Sequence, residues 1–214
     1  MKKKINLEEY KRRKLLEVFK DRQFPHVSTT SYVNITNLKS FIDDNKSGFF
    51  LSISFLISQS LNLIPELRQR IINDELYEFT HVNPAFTVLL DDETFSFCDC
   101  LYFDDFNQYR QYTSSQIEKV KKTPNLSTEE KHHMFFMTNI PWFSFSSITH
   151  PYDEQYAFIP IISIGKYFHQ SNQLIIPIAI QVHHGLVDGI HVGKFYHHLS
   201  DMCTQPAKWL TVNS

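Results

Sequence analysis

The chain has 214 residues, enough for one domain that buries about 70% of the surface its unfolded form would expose. Hydrophobic residues make up 42% and there are only 5 glycines and 9 prolines, which excludes a low-complexity or disordered chain. The formal net charge of -2 gives no general reason to expect a nucleic-acid partner. We therefore expect a single globular domain over residues 1–214.

Two features bear on the cellular compartment. The basic N-terminal segment is not followed by an apolar run, and the most hydrophobic stretch, residues 49–64, is too short and too polar to span a bilayer. Cys98, Cys100 and Cys203 are an odd number of cysteines without a disulfide framework, and the CxC pair lacks a second pair at zinc-site spacing. The sequence predicts a cytoplasmic protein without a membrane partner or a metal.

The first third of the chain alternates helical and strand patterns. Asn6 resembles the first residue of a capping box, and it precedes a charged helix predicted over residues 7–20. β-branched and aromatic residues predict a strand over 27–35. Apolar residues at helical spacing then predict a short helix that begins at Thr36 and a longer one over 50–63.

Strand patterns dominate the remainder. Short apolar runs predict strands within residues 71–103, a helix follows over 104–122, and a polar loop covers 123–131. Three β-rich runs precede a final helix over 190–202; the runs are residues 134–148, 158–168 and 174–183, of which the last two could form a hairpin. Because regular βαβ alternation is missing, we expect an α/β (α+β) fold with a mixed sheet covered by helices on one side.

The most informative stretch is IQVHHGLVDGIHV, residues 180–192. A β-rich run ends at His183 and His184, and three residues later Asp188 and a glycine lead into a helix. A strand end can hold an imidazole rigidly, and an aspartate at this point is a typical helix cap. Imidazole titrates near neutrality, so it is a natural general base toward a hydroxyl or thiol.

Only one of the two histidines needs to be catalytic. Side chains alternate across a strand, so His183 and His184 should point to opposite faces. The alternative interpretation is a buried, hydrogen-bonded histidine pair beside a capping aspartate.

QVHHGLVDGIHV resembles the signature of the chloramphenicol acetyltransferase family, and further segments resemble that family in the same order. Residues 10–13 resemble its aromatic and basic opening. The other segments are residues 65–68 (PELR), 74–76 (DEL), 84–88 (PAFTV), 93–96 (ETFS), 141–145 (PWFSF) and 165–167 (GKY). The resemblance covers about residues 9–199.

This resemblance implies the two-layer sandwich fold of coenzyme-A-dependent acyltransferases. It further implies a homotrimer with active sites between subunits, where acetyl-CoA and the acceptor enter a tunnel from opposite ends. The implied reaction is acetyl transfer from acetyl-CoA to the 3-hydroxyl of chloramphenicol in a ternary complex, which inactivates the antibiotic.

The resemblance also assigns roles to four residues near the reaction. His184 is implied to be the general base, with its Nδ1–H held by a local acceptor that in the family is its own carbonyl oxygen. Asp188 is implied to form a buried ion pair with Arg12. Thr138 occupies the position of a family serine that donates to the oxyanion; the alternative is an ordinary strand threonine.

Six further residues correspond to binding positions in the family. Phe19, His26 and Ser163 correspond to positions at the acceptor end of the tunnel, and all three differ from the residue types common there. At the coenzyme end the matching residues are Trp142, Lys166 and Tyr167, which could equally be ordinary surface residues.

Two alternatives to this function stay open. The same chemistry could act on a different hydroxylated acceptor, and a non-catalytic relative could keep the trimeric scaffold as a binding protein. The paired histidines at 132–133 and 197–198, or His184 with His191, could be metal ligands, but adjacent side chains diverge and make poor chelates.

Overall fold

The computed structural model describes residues 1–127 and 129–211, so positions 128 and 212–214 of the predicted domain lie outside the described residues. The described residues form ten strands and five α-helices. The strands are β1 Lys2–Lys4, β2 His26–Asn34, β3 Gln69–Ile72, β4 Glu75–Phe79, β5 Asn83–Leu89, β6 Phe95–Asp99, β7 Met134–Asn139, β8 Ile161–Ile164, β9 Phe168–Gln170 and β10 Gln173–His183. The helices are α1 Arg13–Phe19, α2 Thr36–Asn45, α3 Phe49–Asn62, α4 Phe106–Lys122 and α5 Gly189–Thr204.

Seven strands form one mixed sheet in the order β2-β10-β8-β7-β5-β6, with β9 beside β10. β7 runs parallel to β5 and β8, and the other pairs are antiparallel. Strands β1, β4 and β3 form a separate small sheet. The predicted mixed sheet is confirmed.

The two faces of the large sheet differ. Helices α2 to α5 pack together and cover one face, where they meet a core built from alternate residues of the strands. On β10 these are Leu174, Ile176, Ile178, Ile180 and Val182, all of them buried. The intervening side chains, including Gln181 and His183, point to the opposite face, as the two-residue period of a strand requires. We call this side, which helices α2 to α5 leave uncovered, the open face.

The predicted charged helix over residues 7–20 is wrong as one continuous element. Asn6 caps a 3-10 turn at Leu7–Glu9, and Tyr10 has extended backbone angles, so α1 begins only at Arg13. The hydroxyl of Tyr10 donates to Gln69 Oε1 at 2.8 Å. This contact with β3 holds the chain where the helical pattern alone would continue.

The predicted strands over 134–148 and 158–168 are too long. β7 ends at Asn139, two residues before Pro141, which has no N–H to donate to a ladder. β8 covers only Ile161–Ile164. The connecting loop instead lies over the open face, where Ser28 on β2 donates to the carbonyl oxygen of Ile148 at 2.7 Å.

Within residues 1–127 and 129–211, no helix combines the length and the apolar character needed to cross a bilayer.

Candidate active site

The two histidines lie where β10 ends and the chain turns toward α5. The backbone N–H groups of Leu186 and Val187 both donate to the carbonyl oxygen of His183, at 3.1 and 3.0 Å, and so close a tight turn. The N–H of His184 donates to the carbonyl oxygen of Pro25, just before β2, at 2.9 Å. The turn is thus held by the sheet on both sides.

His183 is a buried residue. Its Nδ1 accepts from the N–H of Gly185 at 3.1 Å, and its ring stacks on Phe158 with centroids 4.4 Å apart. Burial, followed by the nearby imidazoles of His26 and His184, lowers the pKa of His183 from 6.5 to about 4. His183 is therefore a neutral packing residue at physiological pH.

His184 is only half-buried and has a different partner. Its Nδ1–H donates to the carbonyl oxygen of Val187 at 3.1 Å, because a carbonyl can only accept. The neutral ring then keeps the lone pair on Nε2, the atom that a general base uses. The ring of Phe19 lies against the imidazole, with centroids 4.4 Å apart.

The acceptor for His184 Nδ1 differs from the one that the resemblance implies. The carbonyl oxygen of His184 itself is engaged by Arg12, whose Nη2 donates to it at 3.1 Å. The turn brings the Val187 carbonyl into reach instead. The predicted local acceptor is therefore present, but it belongs to Val187.

Asp188 caps α5 and contacts Arg12. Its Oδ1 accepts from the N–H of Gly189 at 2.8 Å, and Nδ1 of His191 accepts from the N–H of Asp188, which completes a capping box. Its Oδ2 lies 3.3 Å from Arg12 Nη1. The pKa of this carboxyl group is lowered, first by the hydrogen bond from the N–H of Gly189 and then by the Arg12 guanidinium.

The ion pair is less buried than the resemblance implies. In one chain the side chain of Arg12 is 13% exposed, whereas that of Asp188 is 43% exposed. The contacts of Asp188 go to Arg12 and to the start of α5, so Asp188 does not orient the His184 imidazole as a triad acid would.

Thr138 lies on the open face and lines a cavity of about 450 Å³. Its hydroxyl is 3.5 Å from that of Thr87, longer than a normal hydrogen bond between hydroxyl groups, so its proton can be directed into the cavity. The cavity walls are mostly apolar and aromatic. They include Phe95, Phe97, Phe136, Tyr156 and Ile161.

His184 does not line this cavity. In the sheet register Thr138 on β7 lies opposite Ser163 on β8, and Ser163 lies opposite Ala179 on β10. Ala179 is five residues before His184. At about 3.4 Å per residue, five residues separate Thr138 and His184 by about 17 Å in the strand direction. Two strand spacings separate them by about 9.5 Å more in the perpendicular direction. Within one chain the two residues are too far apart to act on the same atom.

The three residues predicted to bind the acceptor substrate lie in different parts of the structure. Phe19 contacts His184, as described. His26 lines the cavity, and its Nε2–H donates to the carbonyl oxygen of Ala157 at 2.7 Å. Ser163 is 1% exposed and does not line the cavity, because its hydroxyl lies beneath His150, 2.6 Å from Nε2 of that residue.

Trp142, Lys166 and Tyr167 lie close together beyond the ends of β7 and β8. The N–H of Lys166 donates to the carbonyl oxygen of Phe143 at 3.0 Å, which ties the tryptophan loop to the GKY segment. Trp142 is 60% exposed and Tyr167 is 37% exposed, so an aromatic surface and a cation face solvent at one place.

Gly165 allows the loop that carries Trp142 to pack against β10. A Cβ at this position would lie 2.6 Å from Cγ of Pro177 and 2.8 Å from the ring of Phe145, both closer than real Cβ atoms approach. The glycine of the GKY segment is therefore required by packing between the loop and β10.

The sequence reasoning missed several residues of the cavity, among them His150, Gln181 and the partly buried pair of Asp99 with Lys131. Lys131 Nζ donates to Asp99 Oδ1 at 2.9 Å at the edge of the aromatic wall. The alternation of β6 and β10 could have indicated Asp99 and Gln181. The position of His150 has no such signal, because it lies in the irregular loop.

The paired histidines and the CxC segment are the candidate metal ligands of the sequence. The thiols of Cys98 and Cys100 are buried and 3.8 Å apart. In the part of the chain that the structure describes, no group of three or more His, Cys, Asp or Glu side chains is placed to hold a metal ion.

Solved structures resemble this fold. A chloramphenicol acetyltransferase superposes with a TM-score of 0.88 at 24% identity, covering 95% of this chain and 100% of that one. The dihydrolipoamide acetyltransferase of Azotobacter vinelandii superposes with a TM-score of 0.71 at 15% identity, covering 92% and 88%. At these identities the likeness concerns the fold alone, which is that of coenzyme-A-dependent acyltransferases.

Sequence relatives carry the comparison further. Chloramphenicol acetyltransferase 3 of Escherichia coli is 33% identical over 211 residues, covering 96% of this chain and 98% of the relative. A chloramphenicol acetyltransferase of Klebsiella sp is 30% identical, covering 94% and 93%. A sequence profile described as chloramphenicol acetyltransferase matches residues 2–200. The chain therefore belongs to the chloramphenicol acetyltransferase family.

Proposed function

We propose that this protein transfers the acetyl group of acetyl-CoA to the 3-hydroxyl of chloramphenicol, with His184 as the general base. One observation carries the proposal: the Nδ1–H of His184 is held by the Val187 carbonyl oxygen at 3.1 Å, so Nε2 is left as the basic atom. Relatives named chloramphenicol acetyltransferase match nearly the whole chain.

The proposed reaction is a direct transfer. Nε2 of His184 removes the proton of the acceptor hydroxyl as its oxygen attacks the thioester carbonyl, and a tetrahedral oxyanion forms. The Thr138 hydroxyl donates a hydrogen bond to that oxyanion. Collapse breaks the carbon–sulfur bond, and the imidazolium returns its proton to the departing thiolate of coenzyme A.

The site needs two copies of the chain. We propose a homotrimer in which His184 of one subunit faces the cavity of the next, because head-to-tail contacts can close a ring of three. The separation of Thr138 and His184 along the register of β7, β8 and β10 supports this arrangement. The two residues then approach the reacting carbonyl from different subunits.

Acetyl-CoA is proposed to bind at Trp142, Lys166 and Tyr167. Exposed aromatic rings can stack on adenine, and a lysine can pair with phosphate. These residues lie beyond the C-terminal ends of β7 and β8, only four positions after Thr138 in the case of Trp142. This position allows the pantetheine arm to extend toward the oxyanion donor.

Arg12 and Asp188 are proposed to position the base. Arg12 donates to the carbonyl oxygen of His184, and Asp188 fixes the start of α5. Together they hold the turn on which the imidazole sits. The free, buried thiols of Cys98, Cys100 and Cys203 fit a reducing compartment, and we place the reaction in the cytoplasm.

The direct test is thiol release from acetyl-CoA by the purified protein, with and without chloramphenicol. Release that requires the antibiotic, and acetylation at its 3-hydroxyl shown by mass spectrometry and NMR, is the expected result. A folded protein that binds coenzyme A but acetylates only another hydroxyl compound would replace the acceptor and keep the chemistry. No transfer to any hydroxyl would favour a binding protein on the same scaffold.

A further inference from the structure

His150 is a polar residue of the cavity on the open face whose position no part of the mechanism explains. His150 lines the cavity, whereas Ser163, on the strand behind it, is 1% exposed and does not. Nε2 of His150 lies 2.6 Å from the hydroxyl oxygen of Ser163. The imidazole therefore covers this hydroxyl and separates it from any molecule in the cavity.

His150 is held firmly for a residue in an irregular loop. Its backbone N–H donates to Oε1 of Gln181 at 2.8 Å, and Nε2 of that amide lies 3.4 Å from its carbonyl oxygen. Gln181 is on β10 and Ser163 is on β8, so two neighbouring strands fix the backbone and the ring. Such support from rigid elements is what a preorganised binding group requires.

The pair of side chains offers the cavity both kinds of hydrogen bond. Burial lowers the pKa of His150 below its ordinary value, so the ring is neutral at pH 7, with one N–H and one lone pair. The bond to Ser163 takes up Nε2. Among the described residues Nδ1 has no hydrogen-bond partner, and it becomes a donor or an acceptor according to the direction of the serine hydroxyl.

We propose that His150 is the specificity-determining polar residue of the acceptor cavity and that Ser163 acts through it as a positioning residue. This inference rests on the proposed function, since it concerns the same acceptor. The matching substrate class has an apolar or aromatic body that fits between Phe97 and Tyr156. It also carries a polar group, other than the hydroxyl that is acetylated, that can exchange a hydrogen bond with Nδ1.

The test compares the steady-state kinetics of His150→Leu and the wild type with chloramphenicol. We expect the KM for chloramphenicol to rise about tenfold, the factor for one hydrogen bond between neutral groups. The kcat and the KM for acetyl-CoA should stay within about twofold, since the contact is made equally in ground and transition states. His150→Gln, which keeps a donor and an acceptor, should recover part of the loss.

His169→Leu is the matched control, because it removes an exposed histidine on β9. It should leave all three constants unchanged. Ser163→Ala should raise the KM for chloramphenicol in the wild type but add nothing in the His150→Leu background, which a double-mutant cycle measures. The double variant also leaves no buried hydroxyl without a partner, so it remains informative if His150→Leu alone folds poorly.

The inference is overturned if Ser163→Ala raises the KM equally in both backgrounds, because Ser163 would then contact the acceptor itself. An unchanged KM in folded His150→Leu would overturn it as well, and the proposed function would stand. A wild type that neither acetylates nor binds chloramphenicol in calorimetry would instead overturn the proposed function and this inference with it.

Discussion

The two faces of the large sheet show how one set of strands separates stability from function. On the helix-covered face, β10 contributes Ile178 and Ile180, which are fully buried against α-helices. On the open face the same strand contributes Gln181 and His183, and β7 contributes Thr138. Because side chains alternate along a strand, the apolar core and the polar site are built from neighbouring residues.

His183 and His184 repeat this contrast within a single peptide unit. The first is 3% exposed, stacks on Phe158 and accepts from a backbone N–H. The second is half-buried, donates through Nδ1 and leaves Nε2 available. The same residue type is thus a packing group in one position and, in the proposed mechanism, a base in the next.

Replacing His184 gives the largest expected change. His184→Ala should lower kcat/KM by at least about 10³, because the proposed general base is removed while the fold is kept. Steady-state kinetics with chloramphenicol measure this loss. His183→Ala is the matched variant, and it should lower the thermal unfolding midpoint more than the activity of the folded fraction. Equal losses of activity in two fully folded variants would contradict the assignment of roles.

Because His183 is buried, we expect the free energy of unfolding to depend on pH. The folded pKa of His183 is about 4, whereas the unfolded value is 6.5, so below 6.5 the unfolded chain binds a proton that the folded chain does not. The free energy of unfolding should therefore fall as the pH decreases from 6.5 to 4, by about 3 kcal/mol from this residue. Urea denaturation across this range measures the slope.

His183→Gln supplies the comparison for that slope. The variant starts from a lower stability, but its dependence on pH over the same range should be weaker. Equal slopes in the two proteins would mean that His183 is already protonated in the folded state or remains unprotonated in both states.

Substitutions of Thr138 test whether its hydroxyl on the open face donates to the oxyanion. Thr138→Val keeps the shape of the side chain and removes the hydroxyl, so kcat should fall by about 10², as for other oxyanion donors. Thr138→Ser should keep most of the activity, because the donor remains. An active Thr138→Val protein would show that this residue is an ordinary strand threonine.

Periodicity predicts the parts of the fold in which a local pattern coincides with burial. The helix predicted over 50–63 is α3, and the run over 174–183 is β10, because both are long and apolar. β1 could not be predicted from Lys2–Lys4, since three lysines have no strand pattern. The strand exists because it pairs with β4, a contact between distant parts of the sequence.

The residues of the candidate site also separate into those that the sequence predicted and those that it did not. His184 and Asp188 were predicted because QVHHGLVDGIHV resembles a family signature, and Arg12 because residues 10–13 resemble the opening of that family. His150 was not predicted, because its role depends on contacts of an irregular loop with Ser163 and Gln181. The Val187 carbonyl was missed for a similar reason: Arg12 occupies the oxygen expected to hold the imidazole.

In the proposed trimer, His184 and the cavity with Thr138 meet only between subunits. Co-expression of His184→Ala and Thr138→Trp chains, each inactive alone, tests it most directly, since the second fills the cavity and removes the donor. In randomly mixed three-membered rings about a quarter of the sites join an intact histidine to an intact cavity. Purified mixed trimers exclude both parent trimers and hold one such site in three, so we predict that they regain about a third of wild-type activity. Mixed trimers as inactive as either parent would contradict a site shared between subunits.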